Sequence, residues 1–136
     1  MRRDAQGGLT VELVLLAPVL ILFALMALGL GRYELARQEL ADAARAGAEA
    51  ASVVPSADQA AGAASSAVLA PLNGQSHMCA HPAVTTDSSG FAAGGDVRVT
   101  VSCRVDLSDL LVPGLPGGVD VSATQVAPVD PFREVS

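Results

Sequence analysis

The apolar residues of this chain concentrate in one run near its N-terminus. No charged residue falls between Leu13 and Gly31, a span close to the roughly 20 residues that cross a hydrocarbon core. Arg2 and Arg3 precede the run, so the positive-inside rule predicts a cytoplasmic N-terminus and an extracytoplasmic C-terminal part. Pro18 lies inside the run and should bend the helix. The pattern predicts a single-pass membrane protein.

A cleaved secretory signal is the alternative explanation of the run. Such a signal has an apolar region of about 7–15 residues that ends in a small-x-small site and a break. Ala27-Leu28-Gly29 could serve as the site, but helix-forming residues continue straight through it. The pattern therefore favours a retained anchor over a small protein that signal peptidase releases after about Gly29.

After the apolar run, a helical period continues to Val54, and Pro55 ends it. Apolar or small residues recur at spacings of three and four and form a stripe that charged residues avoid: Tyr33, Ala36, Leu40, Ala43, Gly47, Ala50 and Val54. This stripe either lies on the chain's own domain or forms a seam for neighbouring helices. Ala27 and Gly31 add a pair of small residues that allows helices to approach closely.

Residues 55–136 predict a small α+β head. Ser56-Ala57-Asp58 can cap a short helix that runs to about Leu69 and closes at Pro71. Residues 73–95 are rich in Gly, Ser, Asn and Pro, which is typical of a loop.

Two strands are expected after this loop. Polar and apolar residues alternate from Asp96 to Leu107, which predicts a half-buried antiparallel strand. A Pro- and Gly-rich turn follows, and Val119 to Val126 can return as a second strand. The expected fold is α+β, a long N-terminal helix followed by a head with a short helix and an antiparallel hairpin or small sheet.

Composition limits the possible functions. The 136 residues have room for one small domain and an anchor. The net charge is −6, acidic residues are spread singly, and nucleic acid is not an expected partner. The chain contains no Lys, hence no phosphate-binding P-loop, and no G-x-S-x-G nucleophile motif. We expect a protein that is not an enzyme and that needs no cofactor.

Cys79 and Cys103 are the two cysteines, and both lie in the part predicted to be exported. Two thiols in a small domain of an oxidising compartment usually pair, although two free buried thiols are the alternative. His77, Cys79 and His81 resemble a metal-binding fragment at first sight. A cysteine in a disulfide is lost as a thiolate ligand, so we expect two loop histidines and no metal.

Glu12 stands at the start of the apolar run. An ionised carboxylate in hydrocarbon costs roughly 2.5–3.5 kcal/mol on insertion scales. Glu12 is either an interfacial carboxylate that the helix dipole favours, or it faces a cation that another chain supplies. An α-amino group freed by cleavage between Gly7 and Gly8 would be such a cation.

Three segments resemble one known family. Gly7 is followed by four residues and then Glu12, similar to the cleavage signature of type IV prepilins and pseudopilins. Val11 to Val19 resembles the V-E-F-A-L-(V/L)-x-P-(V/L) opening of TadE-like proteins, in which a Pro follows the Glu by six positions. The segment from Gly31 to Gly47 is similar to the family's G-R-x-x-x-x-R-Q-x-L and A-A-R-x-G continuation.

The resemblance implies a pseudopilin-like assembly subunit of a tight-adherence (Tad/Flp) pilus or secretion machinery in the bacterial cytoplasmic membrane. It divides the chain into a leader (1–7), a transmembrane helix (8–31), an extracytoplasmic continuation of that helix (32–54) and the head (55–136). A prepilin peptidase would cut after Gly7, and Glu12 would pair with the terminal amine of a neighbouring subunit.

The partners that this resemblance implies are the prepilin peptidase, other pilin or pseudopilin subunits, Tad inner-membrane assembly proteins and membrane lipid. Gly8 departs from the Phe or Met usual at the first mature position of type IV pilins. A membrane-anchored binding module, whose helix is merely a tether, is the alternative function.

Overall fold

The computed structural model describes residues 5–75, 79–106, 117–132 and 134. Its elements, in chain order, are α1 (Ala5–Ser52), α2 (Ala57–Gln75), β1 (Cys79–Asp87), β2 (Asp96–Asp106) and β3 (Gly118–Pro128). The fold is α+β, as the sequence predicts. The chain divides into two compact units, Met1–Tyr33 and Glu34–Ser136.

The described part of the first unit is the N-terminal part of α1. Its large apolar side chains from Val11 to Leu30 are mostly exposed, for example Leu13 at 67% and Leu22 at 62%. Pro18 lies inside α1 and does not end it, although its ring removes one backbone hydrogen bond. α1 is long and apolar enough to span a membrane. A helix this apolar is stable only where lipid or other helices cover it.

The second unit contains an antiparallel sheet in the order β1-β2-β3. One face of the central strand β2 is buried to 5% exposure or less, at Val97, Val99, Val101, Cys103 and Val105. This face is the one that the alternation in the sequence predicts. Each buried Val contributes roughly 1.5–3 kcal/mol relative to an exposed one, so β2 supplies much of the stability of this unit.

Two helical stripes complete the core of the second unit. α1 buries small residues and one Leu, at Ala36, Leu40, Ala43, Ala44, Ala48 and Ala51. α2 buries a stripe with a spacing of four, at Ala60, Ala64, Val68 and Leu72. Because most of these side chains are small, the backbones can approach closely.

The C-terminal end of α2 differs from the prediction. The helix continues to Gln75 with Pro71 inside it. Leu72 is only 5% exposed and extends the buried stripe of α2 beyond the proline. The packing of Leu72 offsets the single hydrogen bond that Pro71 removes, so the helix does not close there.

The prediction of a loop over residues 73–95 is wrong for the part that forms β1. Cys79–Asp87 pairs with β2, with a register shift between Ala80 and Ala83. His81 has a positive φ of 52°, and Pro82 follows it inside this bulge. Pro is tolerated at bulges and on edge strands. The sequence pattern does not indicate this strand, because none of its described side chains is fully buried.

Candidate functional site

Glu12 lies in α1, in the same segment as Gly7 and Gly8. Its side chain is exposed and is flanked by exposed Val11 and Leu13. The sequence carries no further charge until Arg32. The favourable effect of a helix dipole falls off within the first turn, and Glu12 lies beyond the first turn of a helix that begins at Ala5. The dipole alone therefore leaves this carboxylate largely uncompensated.

The small pair on the same helix is also open. Ala27 and Gly31 are exposed and are four residues apart, so they lie on one face of α1. A Cβ atom added at Gly31 would meet nothing within 4 Å. Tyr33, at the end of the first unit, is half-buried. Packing of these three residues and Pro18 against neighbouring helices stays a prediction.

The remaining stripe residues lie inside the second unit. Ala36 and Leu40 are fully buried, Ala43 is 4% exposed, and Gly47 is buried. The stripe therefore packs within its own chain over these positions, which is the first of the two interpretations that the sequence left open.

Gly47 marks a close approach in this core. A Cβ atom at this position would lie 2.6 Å from Val68 Cγ2, 3.3 Å from the Ala64 carbonyl oxygen and 3.3 Å from Val99 Cγ1. These atoms belong to α2 and β2, so Gly47 is the point where α1, α2 and the sheet meet. The sequence pattern includes Gly47 in the stripe but does not predict that α1, α2 and β2 meet at this residue.

Cys79 and Cys103 form the disulfide that the sequence predicts, with their Cα atoms 5.5 Å apart. The bond joins the first residue of β1 to the buried face of β2. It holds the edge strand to the sheet next to the bulge at Ala80/Ala83. His81 is exposed on β1, whereas His77 lies outside the described residues.

The other face of the sheet is polar. Thr100 on β2 and Thr124 on β3 share a hydrogen bond of 2.9 Å between their hydroxyl oxygens. Arg104 and Asp120 form an exposed ion pair at 3.9 Å, a class of contact that contributes little to stability. Hydrogen bonds from Ser89 hold the pKa of the Asp87 carboxyl below its usual value. This face is therefore solvated and is not part of the core.

The arrangement defines a class of protein: a small α+β domain that follows one N-terminal helix long and apolar enough to cross a membrane. The most unusual feature of that helix is the exposed carboxylate of Glu12 at the start of its apolar surface.

Comparison with protein families then gives a match over part of the chain. Residues 7–49 match the model of the TadE-like protein family, which confirms the resemblance over that segment. The matched segment contains Gly7, Glu12, the apolar run and most of the stripe. Neither the curated proteins nor the solved structures give a significant match.

Proposed function

We propose that this chain is a non-catalytic, pseudopilin-like subunit of a Tad/Flp pilus or secretion machinery, matured by a prepilin peptidase. The observation that carries the proposal is the exposed carboxylate of Glu12, which lies inside the matched segment at the start of an exposed apolar helix. Such a group needs a partner. Among the described residues of the first unit, the nearest cation in the sequence is Arg32, at the other end of the apolar run.

Cleavage between Gly7 and Gly8 would supply that partner. The new α-amino group has an ordinary pKa of about 7.7–8.0 and is largely protonated at pH 7. Two unit charges 4 Å apart attract by about 4 kcal/mol at an effective dielectric constant near 20. This attraction offsets much of the cost of inserting the two ions, roughly 2.5–3.5 kcal/mol each on insertion scales. Pairing of Glu12 with a neighbour's amine would set one subunit in register against the next.

Membrane lipid, other pilin or pseudopilin subunits and Tad inner-membrane proteins would cover the rest of the exposed helix. The open face at Ala27 and Gly31 supports close packing of a neighbouring helix. The continuity of α1 through Ala27-Leu28-Gly29 supports a retained anchor over a released protein. We place the N-terminus in the cytoplasm and the second unit outside the membrane, following the positive-inside rule.

Replacing Glu12 by Gln should leave membrane insertion intact and abolish most of the assembly. The amide keeps the size of the side chain but loses the charge that would attract the amine. Assembly is measured as surface pili per cell and as co-purification with the major pilin. The matched control is Glu34→Gln, because Glu34 is also exposed on α1 but lies after the apolar run. Wild-type assembly in the Glu12 variant would contradict the proposed pairing.

The mass of the membrane-extracted protein separates the three functions under consideration. A pseudopilin-like subunit should lack residues 1–7 and begin at Gly8. A simple anchored binding module should keep Met1, whereas a secreted protein should begin near Leu30 and occur in the culture medium. Gly7→Val should keep the leader attached, because a β-branched residue replaces glycine at the proposed scissile bond. A functional, uncut wild-type protein would disprove peptidase maturation.

A further inference from the structure

The two edges of the sheet are built differently. The β1 edge has three features that discourage pairing with another strand: the bulge at Ala80/Ala83, Pro82 inside it, and the positive φ of His81. Among the described residues, β3 has neither a bulge nor a positive φ, and its single proline, Pro128, is the last residue of the strand. Its register with β2 runs without a shift from Asp96↔Pro128 to Asp106↔Gly118.

The outer edge of β3 is open in the part of the chain that the structure describes. There, β3 pairs with β2 alone. In an antiparallel ladder every second residue directs its N–H and C=O groups toward the neighbouring strand, and the others point away. β3 is 11 residues long, so about half of its backbone groups are available to a further strand.

The side chains of β3 also favour an added strand. Val119 and Val126 are exposed to 37% and 49%, and Phe132, shortly after the strand, to 95%. Among the described residues from 55 onward, these are the large hydrophobic side chains that remain exposed. Asp120 is the one charged residue of the strand, and Arg104 lies 3.9 Å from it. A long, regular, nearly neutral edge strand is a ready template for strand addition.

A groove lies between α1 and the C-terminal part of β3. Its volume is about 300 Å³, and its walls are Arg45, Ala48 and Glu49 of α1 and the β3 segment from Gln125 to Pro128. Arg45 and Glu49 pair with each other at 3.0 Å, so neither charge opposes an incoming neutral strand.

We propose that β3 is a homodimer interface, in which the β3 strands of two copies pair antiparallel about a two-fold axis and join two sheets into one of six strands. A second copy fits because its β3 is equally neutral. In antiparallel pairing Asp120 opposes its own counterpart only if the axis passes through that residue, and every axis nearer the middle of β3 avoids this like-charge contact. Head-to-tail pairing of β3 with another copy's β1 is disfavoured because the β1 edge is blocked.

This inference is independent of Glu12 and of leader cleavage. Pairing through one strand alone buries less area than a stable soluble dimer needs. Confinement of both copies to one membrane by α1 raises their effective concentration and makes a modest interface sufficient. The dimer is therefore best measured with the full chain in membranes.

Cysteine cross-linking gives the direct test. Single cysteines are placed at each residue from Ser122 to Val126 on β3, and at each residue from Ala83 to Asp87 on β1 as matched controls, with the native disulfide kept. Directly opposed residues in an antiparallel pair have Cα atoms about 4.5–5.5 Å apart, within the range for a disulfide. Mild oxidation of the membranes should convert one β3 variant, the one at the axis, mostly into covalent dimer. Equal cross-linking on β1 and β3, or none on β3, would overturn the proposal.

Proline substitution gives a second, independent test. Ser122 and Ala123 are neighbours, so one of their N–H groups points toward β2 and the other toward the open edge. Of the variants Ser122→Pro and Ala123→Pro, the one with a nearly unchanged thermal midpoint has lost only the outward N–H group. That variant should lose energy transfer between fluorophore-labelled copies in liposomes. Persistence of wild-type energy transfer in both proline variants would contradict pairing through β3.

Discussion

Replacing both cysteines by alanine is expected to lower the free energy of unfolding of the second unit by about 3.4 kcal/mol. Cys79 and Cys103 are separated by 24 positions, and the chain-entropy model assigns this value to a loop of that length. The reason is that the disulfide restricts the unfolded chain more than the folded one. A shift of this size lowers the midpoint of thermal unfolding by roughly 15 °C for a unit of about 100 residues.

Circular dichroism of the detergent-solubilised full chain measures this midpoint. Reduction of the wild-type protein should produce a similar shift, whereas a reductant should not change the double variant further. β1 should also separate from β2 more readily, because the bond holds the strand beside its bulge. Faster hydrogen exchange of residues 79–87 in the double variant than in the wild-type protein, with little change in Gly118–Pro128, would show this. An unchanged midpoint would mean that the bond does not contribute to stability.

Gly47→Val is expected to destabilise the second unit by about 3 kcal/mol, at the upper end of the usual cost of overpacking. The new Cβ atom alone would lie 2.6 Å from Val68 Cγ2 and 3.3 Å from Val99 Cγ1. Both neighbours are fully buried and β-branched, so neither can rotate away easily. The contact at 3.3 Å from the Ala64 carbonyl oxygen involves backbone, and relief there requires a shift of α2.

Gly62→Val is the matched control, because it makes the same change in the middle of α2. A Cβ atom at Gly62 meets nothing within 4 Å, so only the helix propensities differ, by a few tenths of a kcal/mol in favour of Val. The two thermal midpoints, measured side by side, should differ by roughly 10 °C or more. Equal midpoints would show that α1 and α2 can separate at Gly47 without loss.

The tight contact at Gly47 bears on the proposed function. The family match ends at residue 49, just after this contact, and the matched segment thus includes both Glu12 and the residue where α1 meets α2 and β2. The same helix therefore carries the group proposed to contact a neighbouring subunit and the surface on which the second unit folds.

Several elements were predictable because their signal is local. The apolar run is visible from its length and lack of charge, and β2 from the alternation of Val with polar residues. Glu12 is conspicuous because it stands at the edge of that run. The disulfide could be predicted because the chain contains two cysteines, both in the part expected to be exported.

Other elements escaped prediction because neighbours distant in the sequence determine them. β1 carries a proline, a bulge and no fully buried described side chain, so its identity as a strand depends on pairing with β2. The end of α2 is set by the burial of Leu72 and not by Pro71. The stripe on α1 faces its own chain from Ala36 to Gly47 because α2 and the sheet bury these positions, and the sequence alone left that choice open.

Hydrophobic periodicity and charge by themselves determined the apolar helix, the carboxylate at its start and the central strand, because each depends on residues adjacent in the chain. Only the tertiary structure decided the strand order, the close approach at Gly47 and the contrast between a blocked β1 edge and an open β3 edge. Those features arise from backbone groups and atoms that meet across long sequence separations. No local pattern encodes which of the two edges stays open in the part of the chain that the structure describes.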